Sequence, residues 1–163
     1  MLKSEVIQNK ILSADELQRH LTLWRFKGKK IVFTNGCFDI LHLGHIDYLM
    51  KSADAGDVLV IGLNTDASVR KLKGEGRPVN NEQARALILA SLVFVNAVVL
   101  FDDDTPYNLI QKIQPDVLVK GSDYKIEEIA GYDIVLAKGG KVITVDLLAG
   151  YSTTGLIEKL KTK

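Results

Sequence analysis

The sequence predicts an α/β fold, a doubly wound, Rossmann-like open parallel sheet of about five strands with helices on both faces. Short runs rich in β-branched residues occur at 30–34, 58–64, 97–101, 117–120 and 141–147. These runs are nearly continuously apolar, which is typical of strands covered on both faces. Amphipathic stretches separate them, so we expect right-handed strand–helix–strand crossovers.

The stretches between the strands have helical spacing. Apolar residues recur every three or four positions at 45–55, 81–93 and 153–161, which predicts a helix in each. Thr105 is a typical N-cap and Pro106 a typical first helical residue, so another helix is expected to run from there to residue 113.

The N-terminal part of the chain predicts one additional helix. Ser13 and Glu16 have the spacing of a capping box, and Leu17, Leu21 and Trp24 follow on one stripe. This helix would pack on the sheet or on another subunit. We therefore divide the chain into an N-terminal helical extension at 1–27 and one main domain at 28–163. The Gly-rich segment 74–78 is expected to form a mobile lid.

Composition excludes several classes of protein. The chain has 163 residues, 47% of them apolar and 25% charged, as expected for one soluble globular domain. A net charge of +1 provides no global basic field, so neither nucleic acid nor a membrane surface is an expected partner. Cys37 is the only cysteine, which excludes an intramolecular disulfide. No signal peptide or apolar run of about 18 residues is present, which predicts a cytoplasmic protein.

The turn after the first strand has the pattern of an anion site. Strand one is expected to end at Thr34, and Gly36 in the turn lets the backbone approach a phosphate closely. His42 and His45 open the next helix three residues apart, so both imidazoles can converge on one ligand. Gly44 between them leaves room for phosphate oxygens.

Two histidines at this position suit nucleotidyl transfer. The reaction places extra negative charge on the α-phosphate, and preorganised N–H donors lower its barrier. If the attacking group is itself an ionised phosphate oxygen, no general base is needed, and the histidines stabilise the transition state. A pair of capping or core histidines and a zinc site are the alternatives.

Four parts of the sequence resemble the cytidylyltransferase-like family of HxGH nucleotidyltransferases. They are residues 33–45, Lys71 and Lys73 after the second strand, residues 120–124 after the fourth strand, and residues 150–154 near the end. Within this family, the combination is most similar to the bacterial D-glycero-D-manno-heptose 1-phosphate adenylyltransferases, which occur fused to a heptose kinase or alone. The chain has no kinase region and resembles the stand-alone form. The resemblance implies that ATP and the heptose phosphate give ADP-heptose and pyrophosphate, for lipopolysaccharide or surface glycan synthesis.

The resemblance also implies a set of site residues. The catalytic residues would be His42, His45, Lys71 and Lys73. Nucleotide-binding residues would be Thr34, Asn35, Gly36, Cys37, Phe38, Asp39, Gly44, Arg85, Lys120, Gly121, Asp123, Ser152, Thr153 and Thr154. No residue is assigned to a protein metal site, and Mg²⁺ is expected to arrive with ATP. A homo-oligomer, most simply a dimer, is expected.

Several of these residues have a structural alternative. Arg85 would form either a salt bridge or a triphosphate contact, and Asp39 would orient a histidine, hold Mg²⁺ or end a turn. The hydroxyls of residues 152–154 would cap a helix, bind phosphate or do both. Cys37 is interpreted as a packing residue.

Two other functions remain open. The first is cytidylyl transfer to an alditol phosphate such as glycerol 3-phosphate, although the enzymes of that group have an arginine shortly before Ser-Thr-Thr that is absent at 147–151. The second is a non-catalytic nucleotide-binding module. A dinucleotide-dependent dehydrogenase is excluded because the first turn lacks Gly-x-Gly-x-x-Gly.

Overall fold

Five parallel strands form one sheet in the order β3-β2-β1-β4-β5. The computed structural model describes residues 2–161. The strands are β1 Ile31–Gly36, β2 Val58–Asn64, β3 Ala97–Phe101, β4 Val117–Gly121 and β5 Lys141–Val145. The chain builds outward from β1 to β3 on one side and then returns to place β4 and β5 on the other. The resulting switch point between β1 and β4 is where such sheets bind ligands, outside the carboxyl ends of the strands.

Eight α-helices and a short 3₁₀ helix connect the strands within the described residues. The α-helices are α1 Lys3–Gln8, α2 Ala14–Phe26, α3 Leu43–Ala53, α4 Asp66–Lys73, α5 Glu82–Ala90, α6 Tyr107–Ile113, α7 Tyr132–Ala137 and α8 Thr153–Lys161, and the 3₁₀ helix is Ile126–Glu128.

Both faces of the sheet are covered, as the apolar strands predict. Successive strand residues point to opposite faces, so Phe33 packs with α2 and α6 while Val32 packs with α3 and α5. Each face buries its own apolar cluster, and Leu21 of α2 and Leu49 of α3 are fully buried. The predicted doubly wound, five-stranded sheet is confirmed.

The carboxyl ends of β1 and β5 differ from the prediction, because pairing with the neighbouring strand determines where each strand ends. β1 runs to Gly36 and not to Thr34, because Asn35 and Gly36 continue the ladder with β2 up to Leu63. β5 stops at Val145 and not at residue 147, since its partner β4 ends at the paired Gly121.

Helix ends also differ from the prediction. α3 begins at Leu43, two residues earlier than predicted, and His42 is its N-cap. α5 is shorter than predicted and spans Glu82–Ala90, with the Asn81 side chain accepting a hydrogen bond from Ala84 N at 2.8 Å. Pro106, and not Thr105, occupies the N-cap position of α6. The last helix, α8, has the predicted bounds.

The N-terminal extension packs on the sheet. Glu16 accepts a hydrogen bond from Ser13 N at 2.8 Å, which confirms the capping box. Leu12 N donates to Val98 O at 2.9 Å, so the segment before α2 pairs with the edge strand β3. Of the two packing partners considered for this helix, the structure shows the sheet. Residue 1 of the extension and residues 162–163 of the main domain lie outside the described residues.

Candidate active site

A cavity of about 570 Å³ opens at the carboxyl ends of β1, β2 and β4. It contains most of the predicted site residues, brought together from four segments of the chain. Those that line it are Asn35, Gly36, Cys37, Phe38, Asp39, His42, Gly44, His45, Lys73, Lys120, Gly121, Asp123, Ser152, Thr153 and Thr154. Thr34, Lys71 and Arg85 do not line it.

The turn between β1 and α3 forms the centre of the cavity. A Cβ at Gly36 would lie 2.9 Å from the Phe38 ring, so only glycine fits beneath this side chain. Phe38 itself adopts a left-handed backbone with φ of 43° and is buried, with its ring edge-on to His45 at 5.4 Å between centroids. The turn is therefore held by packing of its own aromatic ring.

His42 and His45 form a stacked pair. Their ring centroids lie 3.8 Å apart with 25° between the planes. The predicted convergence is present, but its basis is different: His42 is the N-cap with an extended backbone, and not a residue of the helical face. The Nδ1 atoms of both rings are buried and have no hydrogen-bond partner.

Both histidines are neutral at pH 7. Burial lowers the pKa of His45 to about 4, with a further contribution from the charge on His42. Burial also lowers the pKa of His42. Each neutral ring has one N–H donor and one acceptor nitrogen, so the pair can offer two donors without two adjacent positive charges.

Gly44 is closely packed by two neighbouring side chains. A Cβ at this position would lie 3.0 Å from Tyr151 Cβ and 3.1 Å from the His42 ring. Tyr151 extends the aromatic stack, with its ring 6.3 Å from that of His42 and 24° between the planes. Close packing against Tyr151 and His42 is thus a structural reason for glycine at position 44, and its predicted contact with phosphate stays a prediction.

Asp39 is bound to the segment that follows α4. Its buried carboxylate accepts hydrogen bonds from Arg77 Nε at 2.6 Å, Val79 N at 2.8 Å and Asn80 N at 2.9 Å. Burial alone would raise the pKa of Asp39, but these N–H groups and the Arg77 charge outweigh it and lower the pKa. Of the three roles considered for Asp39, ending and fixing a turn is the one that the structure shows.

Arg85 supports the site from below. It is 1% exposed and donates to the carbonyls of Cys37 at 2.7 Å and Asn64 at 2.8 Å. It also donates to Asn80 O at 3.0 Å and forms a salt bridge with Asp66 at 2.7 Å. Nucleotide contact by Arg85 is therefore replaced by the salt-bridge alternative, and Arg85 ties the first turn to β2 and α4.

Thr34 and Lys71 also lie outside the cavity. Thr34 is fully buried, and its hydroxyl bonds with Tyr48 Oη at 2.7 Å and donates to Val119 O at 3.0 Å. Its hydroxyl thus joins β1 to α3 and β4 and contacts no ligand space. Lys71 is exposed on α4, whereas Lys73, two residues later, lines the cavity.

Lys120 is a half-buried cation at the end of β4. Burial lowers its pKa, and the nearby Asp123 partly opposes that effect. The ammonium group lies 5.4 Å from the Tyr124 ring centroid. Cys37, on the other side of the turn, has its thiol pKa raised by burial, in keeping with a packing residue.

The start of α8 completes the cavity. Ser152 Oγ accepts a hydrogen bond from Gly155 N at 3.0 Å, so this hydroxyl caps the helix. Thr153 and Thr154 line the same cavity beside the helix N-terminus, where backbone N–H groups favour an anion.

Some lining residues were not among the predicted site residues. They are Tyr48, Asn64, Leu72, Arg77, Tyr124, Leu147, Leu148 and Tyr151. The sequence does point to Arg77, because it is a cation in a Gly-rich segment close to Lys71 and Lys73. Tyr124 and Tyr151 belong to the segments that carry the family resemblance, whereas the apolar Leu72, Leu147 and Leu148 have no sequence signal that separates them from core residues.

Two further findings hold for residues 2–161. No three histidine, cysteine, aspartate or glutamate side chains converge as they would around a metal ion. No helix in this part of the chain combines the length and the apolar character that a membrane span requires.

Comparison with known proteins identifies clear relatives. The cytidylyltransferase-like family model matches residues 33–159. Bifunctional protein HldE of Nitrobacter winogradskyi is 56% identical over 147 residues, which is 90% of this chain and 30% of that protein. The protein of the same name from Campylobacter jejuni subsp. doylei is 56% identical over 156 residues, 96% of this chain and 32% of that one. The chain thus spans about a third of the length of these curated relatives.

Solved structures share the fold. The lipopolysaccharide core biosynthesis protein from Thermoplasma volcanium has a TM-score of 0.61 at 30% identity and covers 74% of this chain and 98% of its own. A pantoate-beta-alanine ligase from Francisella tularensis has a TM-score of 0.63 at 16% identity, covering 93% of this chain and 76% of its own, and so shows a similar fold only.

Proposed function

The chain belongs to the cytidylyltransferase-like family, and we propose that it transfers AMP from ATP to D-glycero-D-manno-heptose 1-phosphate. The products would be ADP-heptose and pyrophosphate, used in lipopolysaccharide or surface glycan synthesis. Relatives named HldE at 56% identity support this activity, as does the structural relative from Thermoplasma volcanium, a lipopolysaccharide core biosynthesis protein.

One observation carries the proposal. Three buried polar atoms at the switch point, Asn35 Oδ1, His42 Nδ1 and His45 Nδ1, have no partner among the described residues. Unpaired buried polar atoms are costly and rare, and these three line one cavity at a helix N-terminus. A nucleotide offers both kinds of partner: its phosphates accept from imidazole N–H groups, and its ribose hydroxyls and base amino group donate to an amide oxygen such as Asn35 Oδ1.

The chemistry needs no proton transfer. A phosphate oxygen of the acceptor forms a bond to the α-phosphorus of ATP, and the bond from that phosphorus to the α–β bridging oxygen breaks. The electron pair leaves with pyrophosphate. The acceptor oxygen is already ionised at pH 7, so the neutral histidines serve as hydrogen-bond donors to the charge that develops on the α-phosphate.

Other residues would hold the phosphates. Lys73 lines the cavity at the end of α4, and with Lys71 it would close over the β- and γ-phosphates and release them as pyrophosphate. Thr153 and Thr154 would contact phosphate at the N-terminus of α8. Lys120 and Asp123 lie on the β4 side, where the nucleoside would bind.

Mg²⁺ is proposed to arrive with ATP. The oxygens of the triphosphate and water molecules would hold it, which is a usual environment for this ion. Its contribution would be to offset the negative charge of the phosphates.

Two further expectations join the proposal. We propose that the protein acts in the cytoplasm, where ATP and sugar phosphates are available. We also propose a homo-oligomer, most simply a dimer, on the base rate for soluble enzymes.

A crossed substrate assay tests the proposed function. The protein is incubated with Mg²⁺ and either ATP or CTP, each with heptose 1-phosphate or glycerol 3-phosphate, and pyrophosphate release is measured. We expect release with ATP and heptose 1-phosphate. Activity only with CTP would replace the adenylyl assignment by the cytidylyl one, and no release with any pair would favour a nucleotide-binding module.

A further inference from the structure

We propose that Arg77 binds the phosphate group of the acceptor substrate and that Asp39 positions Arg77 for this contact. The inference rests on the proposed function, because it concerns the second of two phosphorylated substrates. It assigns a role to the segment that follows α4, which the sequence predicted as a mobile lid.

Arg77 is held by one edge of its guanidinium. Nε donates to Asp39 at 2.6 Å, and the side chain is 17% exposed at the cavity wall. The two terminal amino groups form no other hydrogen bond within the described residues. A fixed guanidinium with free terminal N–H groups is suited to a phosphate, which accepts two such bonds at once.

Asp39 fixes the whole segment as well as the side chain. Its carboxylate accepts the backbone N–H groups of Val79 and Asn80, and Asn80 Nδ2 donates to Asp39 O at 2.9 Å. Asp39 is 2% exposed and directly follows the turn that places the histidine pair. Asp39 therefore fixes Arg77 relative to the turn between β1 and α3, which also carries the histidine pair.

The cavity has anion-binding groups on both sides of β1. Lys73 and Arg77 follow β2, which pairs with one edge of β1. Thr153 and Thr154, at the start of α8, follow β5 on the other side of the sheet. The histidine pair follows β1 itself and lies between the two groups in strand order.

An in-line transfer requires separate sites for the two phosphates, because the attacking and leaving oxygens lie on opposite sides of the α-phosphorus. Lys73 and Arg77 both follow β2, but they differ in how firmly the protein holds them. Lys73 is exposed and has no hydrogen bond or ion pair among the described residues, which suits a group that must depart with pyrophosphate. Arg77 is anchored, which suits the phosphate that stays and attacks, since a fixed donor holds the attacking oxygen in place.

The test separates acceptor binding from ATP binding. Arg77→Gln removes the charge, Arg77→Lys keeps the charge without the forked geometry, and Arg19→Gln on the exposed surface of α2 is the matched control. Pyrophosphate release is measured with heptose 1-phosphate varied at saturating ATP, and then with the two substrates exchanged. We expect Arg77→Gln to raise the acceptor KM roughly 30-fold, as loss of a charge-assisted bond does, with the ATP KM within about twofold.

Arg77→Lys should raise the acceptor KM by a smaller factor, and Arg19→Gln should match the wild type. If Arg77 only supported the fold, its loss would change both KM values or kcat alike. An acceptor KM unchanged in Arg77→Gln would overturn the inference.

A binding measurement tests the Arg77 phosphate site without assuming that heptose 1-phosphate is the acceptor. With a non-hydrolysable ATP analogue filling the nucleotide site, calorimetry measures binding of inorganic phosphate to each variant. Phosphate binding that the wild type shows and Arg77→Gln loses supports the Arg77 site even if heptose 1-phosphate is not turned over. Equal phosphate binding by both, or none by the wild type, would refute it.

Discussion

Lowering the pH should destabilise the protein through His45, and the size of the effect follows from its burial. Burial and the neighbouring His42 lower the pKa of His45 to about 4, against about 6.5 for an exposed histidine. Between about pH 4 and 6.5, His45 is therefore protonated in the unfolded chain but neutral in the folded protein. The stability contributed by the neutral ring is complete above pH 6.5 and is lost as the pH falls towards 4.

At pH 5 the two pKa values give a loss of about 2 kcal/mol in the free energy of unfolding, relative to pH 7.5. Urea unfolding at both pH values measures it in the wild type and in His45→Asn. The variant should lose about 2 kcal/mol less than the wild type, because asparagine has no imidazole that the unfolded chain could protonate. His20→Gln, on α2 outside the cavity, is the control and should behave as the wild type. An equal loss in His45→Asn and wild type would refute the burial of a neutral His45.

Four other substitutions separate residues that act in catalysis from residues that support the fold. His42→Ala or His45→Ala should each lower kcat by roughly 100-fold or more in a pyrophosphate-release assay, because each removes one donor to the transition state; an unchanged kcat in both would contradict that role. Arg85→Met should lower the free energy of unfolding in urea by about 3 kcal/mol, since it strands a carboxylate and three carbonyls; a loss below 1 kcal/mol would leave Arg85 no supporting role. Thr34→Val should cost about 1 kcal/mol in the same measurement and leave the KM for ATP unchanged, whereas a raised KM would restore Thr34 as a nucleotide contact.

The fold was predictable because its signals are local. Continuous apolar runs separated by amphipathic stretches indicate a covered parallel sheet, and the five-stranded order confirms it. α4 was not predicted as a helix because residues 66–73 are mostly polar and have only Ala67, Val69 and Leu72 as apolar positions. The ends of β1 and β5 depend on the length of their partners, which no local pattern encodes.

The site was predictable where a motif fixes the position of a residue and less so where distant contacts decide its role. The histidine pair and the segments at 120–124 and 150–154 do meet in one cavity. Arg85 has the chemistry of a phosphate ligand, but carbonyls 21 and 48 residues away in sequence occupy its donors. Tyr151 had no interpretation from sequence because its stacking on His42 joins α8 to the first turn.

An isotope measurement tests most directly whether the acceptor phosphate attacks the α-phosphorus of ATP. Heptose 1-phosphate with ¹⁸O in its three non-bridging oxygens is incubated with ATP, Mg²⁺ and the protein, and the products are analysed by mass spectrometry. We expect ADP-heptose to contain all three labelled oxygens and pyrophosphate to contain none. Label in pyrophosphate, or no nucleotide-sugar product, would contradict it.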